Sequence, residues 1–217
     1  NAPIAVLVGR WGSWPAWMPL FLRTLETNRD LMDFHLLSDA PVHAPLPSNV
    51  FMHLLTVPQL LERLRRTVGC TLTAISTNGT AGSRHMSSAK VNDLKPTFGE
   101  AFKDLLRPYP WWGWMQEDVL LGDFPKCITP QLLNRFDVIN PFQPPWNSSG
   151  VFMLFRNLPR INRLWRQSES SERVLSDPAY LVFDEWWGPL SDDLSAVVGR
   201  EEHRGAIRVH HGMRCRT

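Results

Sequence analysis

The chain has 217 residues, 43% of them hydrophobic, and a formal net charge of +2. That length and apolar content can bury the core of one domain, so we predict a single domain over residues 1–217. No run of 18 or more apolar residues occurs in the sequence, so we expect a trimmed domain with any membrane anchor outside it. The near-neutral charge and the lack of a long basic stripe argue against a nucleic-acid partner.

The cysteines and the glycosylation triplets bear on the compartment. Cys70, Cys127 and Cys215 show no CxxC spacing, which argues against a zinc site. One disulfide with a leftover thiol and three free thiols are the open alternatives. The triplets that begin at Asn78 and Asn147 are N-glycan acceptors in a secretory protein and favour the secretory pathway, with a Golgi-lumen domain as the expectation.

The first third of the chain has an α/β pattern. The apolar, β-branched run Ile4–Val8 predicts a buried strand, and helical spacing of apolar residues predicts a helix over about 15–28. Strands are predicted at 34–38 and 50–55, followed by an amphipathic helix that ends at Gly69. This order predicts a central, mostly parallel sheet flanked by helices.

Ligands of such sheets bind at the carboxyl ends of strands, near the switch in strand order. Gly9, Arg10, Trp11 and Asp39 follow the first two predicted strands and are candidates to meet a nucleotide. The G-x-G-x-x-G fingerprint of dinucleotide sites is absent. Residues 71–88 are polar and rich in Ser, Thr and Gly, which predicts a flexible loop. Such a loop is either a lid that gates substrate access or a disordered insertion.

The remaining elements are shorter. We predict two short helices over 90–102, separated near Pro96, a strand at 111–115, strands at 136–140 and 150–155, a helix around 160–167 and a strand-like end at 206–209. Ten tryptophans are present, most of them in or beside predicted loops and strand ends. Indole rings often line ligand clefts and stack on sugar faces, with core packing as the alternative.

Gln116-Glu117-Asp118 directly follows the strand at 111–115. If the extended chain continues, Gln116 and Asp118 share a face, and Asp118 is our first candidate for a metal-facing carboxylate. Mn²⁺ or Mg²⁺ prefers oxygen ligands and tolerates an imidazole, which His210, or the adjacent His211, would supply. The alternative is that Glu117 and Asp118 solvate a turn.

A second acidic and aromatic segment surrounds Asp184 and Glu185, which lie between apolar residues and Trp186-Trp187. Either carboxylate could accept the proton of an acceptor hydroxyl as a general base. A helix N-terminus with favourable acidic charge is the equal alternative.

Several motifs fall in the order found in one protein family, and together they cover roughly residues 4–187. They are Val8–Pro15, Phe21-Leu22 with Asn28, Leu36–Asp39, Leu46–Val50, Asp93–Gly99, Trp112–Trp114, Asp118-Val119, Gly122-Asp123, Ser149-Gly150, Phe155–Asn157 and Asp184-Glu185. In this register the chain resembles the DUF6625-type, GT-A-like glycosyltransferases, whose members look like polysaccharide or capsule glycosyltransferases.

The resemblance implies a GT-A, Rossmann-like fold with a D-x-D motif where this chain has Gln116-Glu117-Asp118. Asp118 carries over as the second Asp, whereas Gln116 replaces the first and puts metal dependence in doubt. Asp93 and Lys95 would lie near the donor by the same resemblance. Residues 71–88 and the last 30 residues depart from the family pattern.

These observations lead to one leading hypothesis and two rivals. The first is an enzyme that transfers a hexose-type sugar from a nucleoside diphosphate donor to a glycan or another hydroxyl acceptor, with Asp118 on the cation, Glu117, Gln116, Asp93 and Lys95 by the donor, and Asp184 or Glu185 as base. The second is a catalytically inactive carbohydrate- or nucleotide-binding module. The third is a glycosidase with Asp118 and Asp184 as its carboxylate pair.

Overall fold

The fold is built on one twisted sheet. The computed structural model describes residues 2–75 and 89–213, and within these ranges seven strands form a sheet in the order β3-β2-β1-β4-β6-β5-β7. The strands are β1 (Ile4–Gly9), β2 (Met32–Ser38), β3 (Val50–Leu54), β4 (Trp111–Met115), β5 (Val138–Asn140), β6 (Phe152–Arg156) and β7 (Val209–His211).

Strand direction defines where a ligand would bind. β1, β2, β3 and β4 are mutually parallel, β6 is antiparallel to both β4 and β5, and β5 is parallel to β7. The chain leaves β1 towards β2 and β3, then returns to place β4 on the opposite side of β1. The strand order therefore reverses between β1 and β4, and the crevice outside their carboxyl ends is the ligand position typical of open α/β sheets.

The described helices cover both faces of the sheet. They are α1 (Met18–Glu26), α2 (Val57–Val68), α3 (Lys90–Leu94), α4 (Phe98–Ala101), α5 (Lys103–Leu106), α6 (Pro130–Arg135), α7 (Pro159–Asn162), α8 (Ser171–Ser176) and α9 (Leu194–His203). In α2, Thr56 and Gln59 form a capping box and Gly69 ends the helix with φ 79°. None of the described helices is long and apolar enough to cross a membrane.

Alternating side chains of the buried strands divide the core in two. Ile4, Val6 and Val8 pack in the cluster that contains α1 and α6. Ala5 and Leu7 pack in the cluster that contains α2, α4 and α9. A strand buried on both faces must be apolar at every position, which explains the uninterrupted apolar run at the start of the sequence.

The α/β prediction with a mostly parallel sheet is confirmed, and the first four strands lie where the sequence placed them. Some boundaries differ. The helix expected around 160–167 is divided at Arg163, where φ −105° and ψ 7° separate α7 from a 3₁₀ turn over Leu164–Gln167. The terminal strand begins at Val209 and not at 206, and it includes His210 and His211.

The structure tests part of the predictions for the loop at 71–88 and for the cysteines. Residues 76–88 of the predicted loop lie outside the described residues, whereas Leu72 and Ile75 at its beginning are buried in the core. Cys127 is disulfide-bonded, and Cys70 is a buried free thiol. Of the two alternatives, the structure therefore has the one with a disulfide; Cys215 lies outside the described residues.

Candidate functional site

The loops that follow β1 and β4 meet at the point where the strand order reverses. Arg10 comes directly after β1, and its Nη1 donates to Oε1 of Glu117, which comes after β4. The indole Nε1 of Trp17 donates to the backbone oxygen of Glu117 at 3.2 Å. The two loops are thus joined by an ion pair that is still partly open to solvent, with 34% of the Arg10 side chain exposed.

A second connection joins the loop after β1 to the loop after β2. Gly12, with φ 100°, donates its backbone N–H to Oδ1 of Asp39 at 2.8 Å, and Trp14 Nε1 donates to the oxygen of Ala40 at 2.8 Å. A cavity of about 330 Å³ lies beside these bonds and is lined mainly by apolar atoms, among them Trp14, Pro41 and Val42. Its size is at the low end of small-molecule sites.

Trp11 lies in the core and not in this cavity. Its side chain is 6% exposed, its Nε1 donates to the oxygen of Leu55 at 2.7 Å, and its ring packs on Gly9, where an added Cβ would approach the ring to 3.0 Å. The close approach of the ring explains the glycine. Of the residues predicted after the first two strands, Arg10 and Asp39 are therefore the ones with accessible polar atoms.

Asp93 holds a remote loop in place. Its carboxylate accepts the backbone N–H of Leu181 and of Phe183, each at 2.8 Å, and forms an ion pair of 3.0 Å with Lys90 in which both side chains are fully buried. Between the two amides, Val182 has φ 59°, which is unfavourable for a β-branched residue. Two charge-assisted hydrogen bonds from the flanking amides compensate for that strain. Asp93 therefore stabilises the conformation of the loop that carries Asp184.

Lys95 contacts the next residue of the same loop and also the segment before β6. Its Nζ lies 2.8 Å from Oδ2 of Asp184, and it donates to the backbone oxygen of Gly150 at 2.5 Å. Asp184 is fully buried; its Oδ2 makes the ion contact with Lys95 without hydrogen-bond alignment, and Tyr180 donates its hydroxyl to Oδ1 at 3.4 Å. A carboxylate enclosed in this way is shielded from substrate, which disfavours Asp184 as a glycosidase nucleophile or as the base.

Glu185 is the accessible member of the pair. It is partly exposed, and it accepts a hydrogen bond from Nε1 of Trp187. Burial, together with the negative charge of the neighbouring Asp184, raises the pKa of Glu185 above its usual value. A carboxylate of raised pKa that still reaches solvent is suited to accept a proton near neutral pH.

Gly150 lies directly against both carboxylates, Asp184 and Glu185. A Cβ there would lie 2.5 Å from Oδ2 of Asp184 and closer still to Oε1 of Glu185. Gly150 comes immediately before the residues that enter β6, next to the carboxyl end of β4, where the N–H of Gln116 donates to the oxygen of Val151 at 3.0 Å. The pair Asp184–Glu185 therefore lies beside the β4 end of the crevice, 66 residues or more along the chain from Asp118.

Two expectations about these acidic segments are wrong. β4 ends at Met115, and residues 117–118 form a turn, so the alternation that would put Gln116 and Asp118 on one face does not continue. Asp184 and Glu185 do not begin a helix either, because the next helix, α9, starts at Leu194 and is capped by the Asp193 side chain. Asp118 itself is exposed on the turn.

His210 is remote from the predicted metal carboxylate. It lies on β7 at the sheet edge, its ring packs 5.1 Å from the ring of Phe136, and burial lowers its pKa. β6 and β5 separate β7 from β4, a spacing of about 14 Å. Among residues 2–75 and 89–213, no three His, Cys, Asp or Glu side chains are grouped to hold a metal ion. Asp118 and His210 thus do not fit as a shared ligand pair.

Sequence reasoning missed Lys90 and Tyr180, and it named Gly150 only within a family motif, without a role at the site. Lys90 precedes Asp93 by three residues, a spacing that places both on one side of a helix turn and was the available signal. Tyr180 is four residues before Asp184 but outside any helix, and no pattern in the sequence links Gly150 to carboxylates 34 residues away. The requirement for glycine there arises only from a contact between distant segments.

Comparison with known families gives one match. The family model described as "Family of unknown function (DUF6625)" matches residues 6–196, so the chain belongs to this family. The match includes every site residue from Gly9 to Glu185 and ends before His210. No curated protein matches the chain.

Proposed function

We propose that this DUF6625 member is a GT-A-like glycosyltransferase that moves a sugar from a nucleoside diphosphate donor to a hydroxyl of a glycan or another acceptor. One observation carries the proposal. A partly exposed carboxylate of raised pKa, Glu185, is held over Gly150 beside the crevice where the strand order reverses. A nucleotide pocket and a general base would then share one edge of the sheet.

The donor would occupy the carboxyl ends of β1, β2 and β4. The apolar cavity beside Trp14 has the volume for a nucleoside base, and Asp39 retains a carboxylate oxygen for a ribose hydroxyl. Arg10 directly follows β1 at the crevice, and its guanidinium suits a diphosphate because it can make two parallel hydrogen bonds to phosphate oxygens. Donor binding would exchange Glu117 for phosphate as the partner of Arg10.

The acceptor would approach from the side of Glu185. Its hydroxyl oxygen attacks the anomeric carbon while the bond from that carbon to the phosphate oxygen breaks, and the hydroxyl proton passes to the Glu185 carboxylate. The nucleoside diphosphate leaves with the bonding electron pair. A single displacement of this kind inverts the anomeric configuration.

Lys95 and Asp184 support that step without touching the acceptor. The Lys95 ammonium partly offsets the negative charge that the Asp184 carboxylate places beside Glu185. Asp93 and Lys90 hold the loop, and Glu185 thereby keeps its position. In our proposal, Asp93 and Lys95 are therefore positioning residues and not donor ligands.

A divalent ion, Mn²⁺ or Mg²⁺, would neutralise charge on the leaving diphosphate if one binds, and Asp118 is the exposed carboxylate next to the Arg10–Glu117 pair. Gln116 contributes an amide oxygen but no charge. The residues described do not supply a complete ligand set, so none of the steps above depends on the ion.

The test is nucleoside diphosphate release from UDP-, GDP- and dTDP-sugars, with and without Mn²⁺, by the wild-type protein and by Glu185→Gln. We expect release with one of the donors and a loss of about 10²- to 10⁴-fold in Glu185→Gln. Glu172→Gln, an exposed carboxylate on α8, is the matched control and should retain the wild-type rate. Equal rates for Glu185→Gln and wild type would refute the assignment of the base.

An inactive carbohydrate- or nucleotide-binding module is the second candidate. It is favoured by Gln116 at the motif and by the engagement of Glu117 with Arg10. The module predicts heat of UDP binding in calorimetry with no release of product from any donor. Adding Mn²⁺ and comparing Asp118→Ala distinguishes a metal-dependent enzyme, whose release falls in that variant, from a module, which shows none.

A further inference from the structure

Four exposed aromatic side chains lie on two segments beside the candidate base. Exposed fractions are 36% for Phe142, 40% for Trp146, 42% for Trp186 and 57% for Trp187. Of the other seven tryptophans, five are buried, Trp14 is half-buried and Trp17 is 49% exposed. We refer to these four side chains as the aromatic platform, and we propose that it binds the sugar rings of a saccharide acceptor.

The platform is built from two distant segments. The Trp146 and Trp186 rings stack with centroids 5.0 Å apart and planes at 26°, and the Phe142 ring meets Trp146 edge-on at 6.2 Å. The stack covers one face of each indole, and 40% of Trp146 and 42% of Trp186 remain exposed. Stacked, exposed rings provide a flat apolar surface, the shape that the C–H face of a pyranose ring matches.

Hydrogen bonds in both segments hold the platform in position. Asn140 donates its side-chain N–H to the oxygen of Trp146, and the N–H of Asn147 donates to Oγ of Ser195 in α9 at 2.9 Å. On the other segment, Trp187 donates to Glu185. A surface that is ordered before binding loses little conformational entropy when a ligand arrives.

Charge and size favour a saccharide over other occupants. The platform adjoins the carboxylates of Asp184 and Glu185, which disfavours an anionic membrane surface. Its exposed area is roughly 400 Å², taking about 250 Å² for a whole indole side chain, which is half of the ~800 Å² that one partner of a stable dimer buries. A carbohydrate needs both features found here, an apolar plane and polar acceptors for its hydroxyl groups.

The inference rests on the proposed function for its catalytic meaning, because Glu185 lies one residue from Trp186 and would receive the proton of a hydroxyl group on the bound saccharide. Saccharide binding itself does not require turnover. The two claims can therefore fail separately.

The experiment measures binding of methyl β-glucoside, lactose and cellotriose to the whole chain by tryptophan fluorescence and saturation-transfer NMR. We expect cellotriose to bind more tightly than the monosaccharide, and Trp146→Ala and Trp186→Ala to weaken binding about fivefold or more, whereas Trp186→Phe should keep most of the affinity. Leu54→Ala on β3, which removes an exposed apolar side chain at the other edge of the sheet, should bind like wild type.

Donor hydrolysis without acceptor separates the two claims. Trp146→Ala and Trp186→Ala should increase the KM for the saccharide in transfer, whereas Leu54→Ala should keep both that KM and the rate of donor hydrolysis at their wild-type values. Hydrolysis by wild type with unchanged saccharide binding in both variants overturns the platform alone. Saccharide binding that the variants lose, in a protein that hydrolyses no donor, upholds the platform and refutes the transferase. No binding of any of the three saccharides, self-association abolished by Trp186→Ala, or binding to anionic vesicles also overturns the platform.

Discussion

Two buried polar networks in this protein manage charge in opposite ways. The first joins Lys90 to Asp93, with both side chains fully buried and the carboxylate also bonded to two backbone amides. Burial raises the pKa of Asp93, but Lys90 and the two amides oppose that shift. This network keeps charge inside the protein by pairing it.

The second network, which we call the histidine network, runs from β3 through β2 to Tyr109 and the Asp33 carboxylate. His35 Nδ1 lies 2.9 Å from His53 Nε2, its Nε2 lies 3.3 Å from the Tyr109 hydroxyl, and that hydroxyl donates to Asp33 at 2.9 Å. Burial, reinforced by His53, lowers the pKa of His35 to about 4, and burial raises the pKa of Tyr109 to about 12. His35 and Tyr109 are therefore uncharged at neutral pH.

The difference shows where this fold tolerates charge. Lys90 and Asp93 form a buried ion pair that holds the loop of the candidate base, whereas His35 and Tyr109 are buried in their neutral forms beside Asp33. Removing one partner of the buried ion pair leaves an uncompensated charge, whereas acid protonates the buried His35 of the histidine network. Each network should consequently fail under a different perturbation.

The largest effect is expected from Asp93→Asn. The change leaves Lys90 buried without its counter-charge and weakens the bonds to the amides at 181 and 183, at a cost of about 3–5 kcal/mol in the free energy of unfolding. Urea titration measures this. Glu62→Gln is the matched control, since Glu62 forms an i,i+3 pair with Arg65 at 52% and 54% exposure, and it should cost under about 1 kcal/mol. Similar losses in the two variants would contradict the buried-pair interpretation.

The second-largest effect is expected from acid, which should lower the free energy of unfolding through the histidine network. The pKa of His35 falls from 6.5 unfolded to about 4 folded, so the unfolded chain binds the proton first as the pH decreases through this window. The contribution of His35 to the free energy of unfolding is complete above pH 6.5 and is lost towards pH 4, by up to about 3 kcal/mol. His53 acts in the same direction, while the raised pKa of Asp33 acts in the opposite direction at lower pH.

The measurement is the free energy of unfolding from pH 7 to pH 4 for wild type and His35→Gln. Gln keeps a donor and an acceptor but does not titrate, so its stability should vary less with pH. The slope decides the outcome and not the absolute stability, because the substitution can itself alter packing. Parallel curves for the two proteins would show that His35 does not carry the acid sensitivity.

The smallest effect on stability, but a specific one on chemistry, is expected from Gly150→Ala. The new methyl group would overlap the oxygens of Asp184 and Glu185, costing about 1–3 kcal/mol and displacing the candidate base. Product release should fall more than stability explains, and its pH profile should shift, since Glu185 changes environment. Gly122→Ala has open space around its Cβ and serves as control. Unchanged release by Gly150→Ala would show that the carboxylates do not depend on this contact.

Local pattern and distant contact contributed differently to the candidate site. The apolar run Ile4–Val8 and the strand before Gln116 predicted the sheet and its ligand-binding edge, because a strand buried on both faces needs apolar residues throughout. The same reasoning failed at residues 116–118, where the chain turns after Met115 and side-chain alternation ends with the strand. It also failed at Trp11, whose ring belongs to the core.

The sequence by itself determined the α/β class, the order of the early strands and helices, and the acidic segments at their ends, since hydrophobicity and its periodicity are local properties of the chain. Only the tertiary structure decided which carboxylates meet. Lys95 reaches Asp184 across 89 residues, and Asp93 holds Val182 at positive φ. Such contacts depend on how elements pack in three dimensions, which periodicity does not encode. For the same reason, four exposed rings became one surface only after Trp146 and Trp186 were brought together.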